Sequence, residues 1–114
     1  MSDRLYRLIR YFETITEATV PQLSNFYASD AYFKDPFNEV NTVDQVEQIF
    51  AHMFGPLFEP RFILHARIEQ ENEAFLSWDF HFRIKKYEPD VEQIVRGGSH
   101  LRFDAQNKIC YHRD

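Results

Sequence analysis

The stretch EAFLSWDFHFRIKK at residues 73–86 decides how the rest of the chain is read. Its even positions, Ala74, Leu76, Trp78, Phe80, Phe82 and Ile84, are all apolar, while its odd positions from Phe75 to Lys85 are mostly polar. Successive side chains of a strand point to opposite faces, so a period of two predicts one long β-strand whose apolar face is concave and buried. The other face, with Ser77, Asp79, His81 and Arg83, reads either as solvated or as a contact surface for a second subunit. Similar segments lie on both sides. Phe62 to Glu69 precedes it across a polar turn at Gln70-Glu71-Asn72, Val91 to Phe103 follows a loop around Glu88-Pro89-Asp90, and a last strand runs from Lys108 to the chain end. Four such strands in succession predict an antiparallel meander.

The first half of the chain has a different period. From Asp3 to Thr16, Leu5, Leu8, Ile9, Phe12 and Ile15 recur at helical spacing among Arg and Glu residues, which predicts an amphipathic helix. Thr19-Val20-Pro21-Gln22 has the form of a capping box and predicts a second, short helix that carries Leu23, Phe26 and Tyr27 and ends near Ser29-Asp30. Ala31 to Asp35 alternates and stops at Pro36, as a short strand does, and Phe37 to Asn41 reads as a loop. Thr42 and Gln45 repeat the capping spacing before a third helical stripe of Val43, Val46, Ile49, Phe50 and Met53, which Gly55-Pro56 ends. The fold class is therefore α+β, with three N-terminal helices packed on a strongly curved, mainly antiparallel sheet. No linker, repeat or low-complexity stretch divides residues 1–114, so one domain is expected.

Composition narrows what such a domain does. A chain of 114 residues builds one hydrophobic core, and 12 Phe, 6 Tyr and 1 Trp raise the aromatic share to 17%, which suits a wide cavity walled by rings. A formal charge of -5 spread along the chain, with no basic cluster longer than Lys85-Lys86, predicts neither a nucleic acid nor a membrane partner. A single cysteine, Cys110, excludes an intramolecular disulfide and a Cys-based zinc site. The charged start of the chain, where a signal peptide would be apolar, predicts a cytoplasmic protein.

Three features point to chemistry. Asp35 ends an apolar strand just before Pro36, where it could enter a cavity as a general acid or base; the same position suits an Asx-turn that caps the loop. In Val91–Phe103, Val95, Gly97, Ser99, Leu101 and Phe103 share one face, so Ser99 is the polar residue on the apolar side. Gly97-Gly98 suggests a bulge or a bend there. His52, His65, His81 and His100 lack metal-ligand spacing, and no metal or cofactor is expected.

The helix carrying Tyr11, the short second helix, the strand ending in Asp35-Pro36, the third helix and the four meandering strands, with the segment SHLRF at 99–103, together resemble the nuclear transport factor 2-like superfamily. The likeness is closest to its ketosteroid isomerase-like and SnoaL-like branches and covers nearly the whole chain. It implies a cystatin-like cone, an α+β roll, around one small pocket. It further implies that Asp35 is a base and Tyr11 an oxyanion donor, with Ser99 standing where the isomerase has a protonated aspartic acid. Phasing the last strand by the family turns Cys110, His112 and Asp114 toward the cavity, where His112 could pair with Asp35 or with a ligand. The expectation is a pocket for a small apolar or ring-containing molecule in which Tyr11, Asp35, Trp78, Ser99 and His112 converge, with Phe33, Phe54, Cys110 and Asp114 beside them. Isomerase- or cyclase-type chemistry at Asp35 is one reading, and a non-catalytic binding or dimerising scaffold, favoured by Ser99, is the other. The family continues its last strand beyond the position of Asp114, so a truncated C-terminus is expected, as is a homodimer through the outer sheet face.

Overall fold

The amphipathic stripe near the N-terminus forms α1 (Asp3–Glu13), capped by Ser2, whose side chain accepts from the Leu5 amide. The computed structural model describes residues 2–114. Leu5, Leu8, Ile9 and Tyr11 form the buried face of α1. The next element is a 3-10 helix (Glu17–Asn25), not an α-helix, and its capping box is Thr16 with Thr19 where the sequence pointed to Thr19 with Gln22. Pro21 lies inside it, and a proline without an N–H, crowding the turn before it, keeps the α-helical ladder from propagating. Among the described residues, the three expected helical segments are thus two α-helices and one 3-10 helix.

The 3-10 helix ends at Asn25 because Tyr27 is already in β1 (Tyr27–Lys34), which starts earlier than the alternation of residues 31–35 suggested. The cause is a distant partner: Tyr27 pairs with Ile109, and the Ile109 amide donates to the Phe26 carbonyl at 2.7 Å. The loop after Pro36 returns as a two-residue strand, β2 (Glu39–Val40), antiparallel to β1. α2 (Val43–Met53) begins as its sequence requires, with the Thr42 side chain accepting from the Gln45 amide.

The meander follows as β3 (Leu57–Gln70), β4 (Glu73–Ile84), β5 (Glu88–Phe103) and β6 (Ile109–Arg113). The six strands run in the order β2-β1-β6-β5-β4-β3, antiparallel throughout except for the parallel β1–β6 pair. β3 passes straight through Pro60, which it can do as the edge strand: the register slips between Phe58 and Arg61, where Glu59 takes a φ of 50°. No bulge occurs at Gly97-Gly98, since β4 and β5 pair without a break from Glu73–Arg102 to Phe82–Gln93. The glycines serve two rings instead. A Cβ at Gly97 would lie 2.5 Å from the Trp78 ring on the concave face, and one at Gly98 would lie 2.6 Å from the Phe75 ring on the outer face.

α2 and the 3-10 helix pack on β1, while α1 reaches across to β3, and Leu5, Leu23, Tyr27, Phe33, Leu101 and Ile109 are fully buried in the core beneath them. Beyond them the long strands continue, and the side chains of β4 from Ser77 onward are only half-buried. The concave face thus passes from a filled core into an open cavity. No helix among the described residues is long and apolar enough to cross a membrane.

Candidate functional site

The cavity has a volume of about 760 Å³ and lies between α1, α2 and the concave faces of β3, β4 and β5. Its walls are rings: Phe12, Phe33, Phe50, Phe62, Trp78 and Phe80 all face it. Phe62 and Trp78 meet edge to face at 5.5 Å, and Phe62 stacks on Phe80 at 4.6 Å, so these rings brace one another rather than filling the space.

At its polar end four side chains are directed, in two chains, onto one carboxylate. Trp78 Nε1 donates to Ser99 Oγ at 2.9 Å, and Ser99 Oγ donates to Asp114 Oδ1 at 2.5 Å. From the other side, His112 Nε2 lies 2.6 Å from the same Asp114 oxygen, and His112 Nδ1 lies 2.6 Å from the Tyr27 hydroxyl. The hydrogen-bond pattern assigns the protons. A proton on Nδ1 alone would turn a bare Nε2 toward a carboxylate, and an imidazolium would leave the Tyr27 hydroxyl with no acceptor among the described residues. The arrangement that uses every donor has Tyr27 donating to Nδ1 and a neutral His112 donating from Nε2. Burial, with the Asp114 charge second and Tyr11 third, pushes the Tyr27 phenol well above its ordinary range, which keeps its proton in place.

Local structure explains why these groups meet. β5 and β6 pair as Arg102–Tyr111 and then as Phe103–Ile109, which leaves Cys110 unopposed as a bulge. The bulge resets the alternation, so both Ile109 and His112 are buried, and His112 is only 3% exposed. His112 is opposite Phe33 in the parallel β1 pairing and meets its ring edge-on at 4.8 Å, while it stacks on Tyr27 at 5.9 Å. The Asp114 amide donates to the Lys34 carbonyl at 2.9 Å, which fixes the carboxylate at the cavity end. Its Oδ2 receives no hydrogen bond among the described residues.

The other expected residues are placed as follows. Phe33, Trp78 and Ser99 line the cavity with His112 and Asp114. Asp35 lines it too, but Asp35 forms the Asx-turn: Oδ1 accepts from the Phe37 amide at 2.8 Å, the Asn38 amide at 2.6 Å and Asn38 Nδ2 at 3.1 Å, and Oδ2 accepts from Asn38 Nδ2 at 3.2 Å. It does not pair with His112, both of whose nitrogens are taken. Tyr11 is not on the cavity wall. Its face of α1 meets the 3-10 helix, where the hydroxyl donates to the Thr19 carbonyl at 2.8 Å, and burial, with the Glu47 charge adding, pushes the phenol up to about 12.

Cys110, displaced by the bulge, lies off the cavity and donates to the Arg102 carbonyl at 3.5 Å. Phe54 is also off it. α2 ends at Met53, so Phe54 is the C-cap residue, and Ile49, Phe50 and Met53 supply the helical wall instead. Tyr27 was missed, because in the sequence it is one more aromatic near a short helix. Glu13 and Arg96 at the rim were missed as well; Glu13 Oε2 accepts from the Leu64 amide at 3.2 Å.

Chemically, the site offers a carboxylate at the end of an apolar cavity, with one oxygen held by Ser99 and His112 and the other without a hydrogen bond among the described residues. Such a group can bind a donor or accept a proton.

Comparison with known proteins agrees with this architecture. The sequence model of the SnoaL-like domain matches residues 8–112. Among solved structures, a nuclear transport factor 2-like protein of unknown function from Exiguobacterium sp. 255-15 superposes with a TM-score of 0.79 at 16% identity, covering 96% of this chain and 94% of that one. A protein of ketosteroid isomerase-like fold from Catenulispora acidiphila DSM 44928, solved in complex with trimethylamine, gives 0.83 at 11% identity over 100% and 85% of the two chains. A candidate SnoaL-like polyketide cyclase from Shewanella putrefaciens CN-32 gives 0.77 at 17% identity over 100% and 89%. At these identities the structural likeness concerns the fold alone. No curated protein matches the chain.

Proposed function

The chain belongs to the SnoaL-like domain family, and from that premise we propose that its cavity binds a small, apolar, ring-containing molecule, with Asp114 as the group that engages it and exchanges a proton with it. One observation carries the reading: Asp114 Oδ1 takes the hydrogen bonds of both Ser99 and His112, and Oδ2 is left open at the end of an aromatic cavity of about 760 Å³. The volume is in the range of small-molecule sites. The relative in complex with trimethylamine supports a small-molecule occupant.

In this reading Asp114, with His112 behind it, takes the acid/base role that the resemblance gives to Asp35, and the reaction is of isomerase or cyclase type: a proton leaves one atom of the substrate for Oδ2 and returns to another. A thermal-shift screen of ring-containing compounds identifies occupants, and turnover of each is then followed by mass spectrometry and NMR. Asp114→Asn is expected to abolish turnover in a variant that circular dichroism shows to be folded, and Asp35→Asn is expected to leave turnover within a few-fold. Unchanged turnover in Asp114→Asn would refute the assignment.

A second reading has its own support. Tyr11 and Asp35, the two residues to which the resemblance gives chemistry, both spend their hydrogen bonds within the protein, as they would in a binding protein without catalysis. Occupants that bind but are recovered unaltered would favour it.

We also propose that two copies pair through the outer sheet face. Ile68 and Phe75 are exposed there as cross-strand partners, and three carboxylates, Asp79, Glu92 and Glu73, are each bracketed by a histidine and an arginine from the sheet. Light scattering is expected to show a dimer that Phe75→Glu dissociates. A monomeric wild type would refute the pairing.

A further inference from the structure

The donors at the polar end of the cavity are already spent. Trp78 Nε1–H goes to Ser99, Ser99 Oγ–H to Asp114, Tyr27 O–H to His112, and His112 Nε2–H to Asp114. What remains for an occupant at this end, among the described residues, is an acceptor, Asp114 Oδ2, and no donor. A ligand that brings a carbonyl to this end would set one acceptor against another, which is unfavourable, whereas a ligand that brings an N–H or O–H completes the network.

Charge narrows the choice. Three carboxylates line the cavity, Asp114 at its end and Asp35 and Glu13 nearer its rim, and neither Asp35 nor Glu13 has a cationic partner among the described residues. Arg96 is the one arginine or lysine among the described lining residues, and its mostly exposed side chain lies 3.9 Å from Asp79, on the outer face of the sheet. Between these charges the walls are lined by aromatic rings, whose faces attract cations. Neutral apolar ligands gain only from the walls, while an organic cation gains from the walls and from the carboxylates.

Resting on the reading that Asp114 engages the occupant, we infer that the ligand class is an apolar, ring-bearing primary to tertiary amine bound as its ammonium ion, its N–H directed to Asp114 Oδ2, and not a ketone. This excludes a carbonyl bound end-on at Asp114, the orientation that an oxyanion site would require.

Three probes that share one hydrocarbon cage test this: 1-adamantanemethylamine, 1-adamantanemethanol and 1-adamantyl methyl ketone. Trp78 is the single tryptophan and lies on the cavity wall, so its fluorescence reports each titration, with calorimetry as the check. The expected order is amine, then alcohol, then ketone, with the amine on the order of tenfold tighter than the ketone or more. Asp114→Asn replaces the open acceptor with an amide that can also donate, so the amine is expected to lose its advantage and the ketone to gain. Circular dichroism of the variant, and its retained affinity for the alcohol, show that it is folded. A ketone that binds wild type as tightly as the amine overturns the ligand class and leaves the cavity reading standing. An amine preference that survives intact in Asp114→Asn overturns the assignment to Oδ2. If none of the three binds at millimolar concentration, the small-molecule reading of the cavity falls, and this inference with it.

Discussion

Replacing Tyr27 with phenylalanine removes one oxygen from the interior and leaves His112 Nδ1 without its donor. Tyr27 is 2% exposed and His112 3%, and the Nδ1 environment is made of rings, Tyr27 on one side and the edge of Phe33 on another, so water has little access to replace the lost hydrogen bond. An unsatisfied buried acceptor costs about 1–3 kcal/mol. With an unfolding entropy of about 2 cal/mol/K per residue, 1 kcal/mol corresponds to about 4 °C at this chain length, so a fall in Tm of about 4–12 °C is expected. The assay is a double-mutant cycle by thermal and urea unfolding. His112→Leu alone removes the other partner and leaves the Tyr27 hydroxyl buried and unpaired; the double variant Tyr27→Phe/His112→Leu removes both polar groups. If the hydrogen bond is as described, the double variant is less destabilised than the two single changes together, by about 0.5–3 kcal/mol. Long-range proton–nitrogen NMR on the wild type supplies the second readout, with His112 protonated on Nε2 only. Additive free energies, or an imidazolium at neutral pH, would refute the proton assignment on which the open Oδ2 rests.

Gly97→Ala sets a methyl group 2.5 Å from the Trp78 ring, so the indole must leave its place against β5 and its bond to Ser99; a loss of about 1–3 kcal/mol and a red-shifted tryptophan emission are expected, and an unchanged spectrum would contradict the packing. In alkaline titration followed by phenolate absorbance, Tyr11 and Tyr27 are expected to ionise last. Their folded values lie above the unfolded value of 10.0, to about 12 for Tyr11, so they contribute stability that is complete below pH 10 and is lost as pH rises through the folded value; Tyr11→Phe should flatten that loss. Glu92 behaves in the opposite sense. The His81 hydrogen bond first, and the Arg61 hydrogen bond next, hold its carboxyl at about 2 against 4.5 unfolded, so its contribution is present above pH 4.5 and is lost as pH falls toward 2. Glu92→Gln is therefore expected to differ most from wild type near neutrality and to converge with it in acid, and a difference that grows in acid would contradict the pairing.

What could be read without coordinates was local. The alternation of residues 73–86, the stripe of α1 and the Thr42 cap each depend on neighbours a few positions apart, and each forms the element it specifies. The errors have the same origin. The capping box of the 3-10 helix lies three positions earlier because Pro21 interrupts the ladder, and β3 runs through Pro60 because it lies at the sheet edge, a fact that no local pattern contains. Gly97 and Gly98 were visible as special, but the reason, two rings from the neighbouring strand, required the register.

The candidate site divides in the same way. Composition and periodicity determined that this chain has a ring-lined concave face with Ser99 among apolar neighbours, because parity along a strand is written in consecutive residues. The functional geometry came from pairings that span most of the chain. Tyr27 meets His112 across 85 positions through the parallel β1–β6 pair, and the bulge at Cys110 turns His112 and Asp114 inward while putting the cysteine aside. For Asp35 the sequence left both an acid/base role and an Asx-turn open, and in the structure two amides of its own loop and the Asn38 side chain bond its carboxylate as in the turn. Which carboxylate meets Ser99 and His112 at the cavity end is decided by where distant strands close on each other, and no stretch of neighbouring residues carries that information.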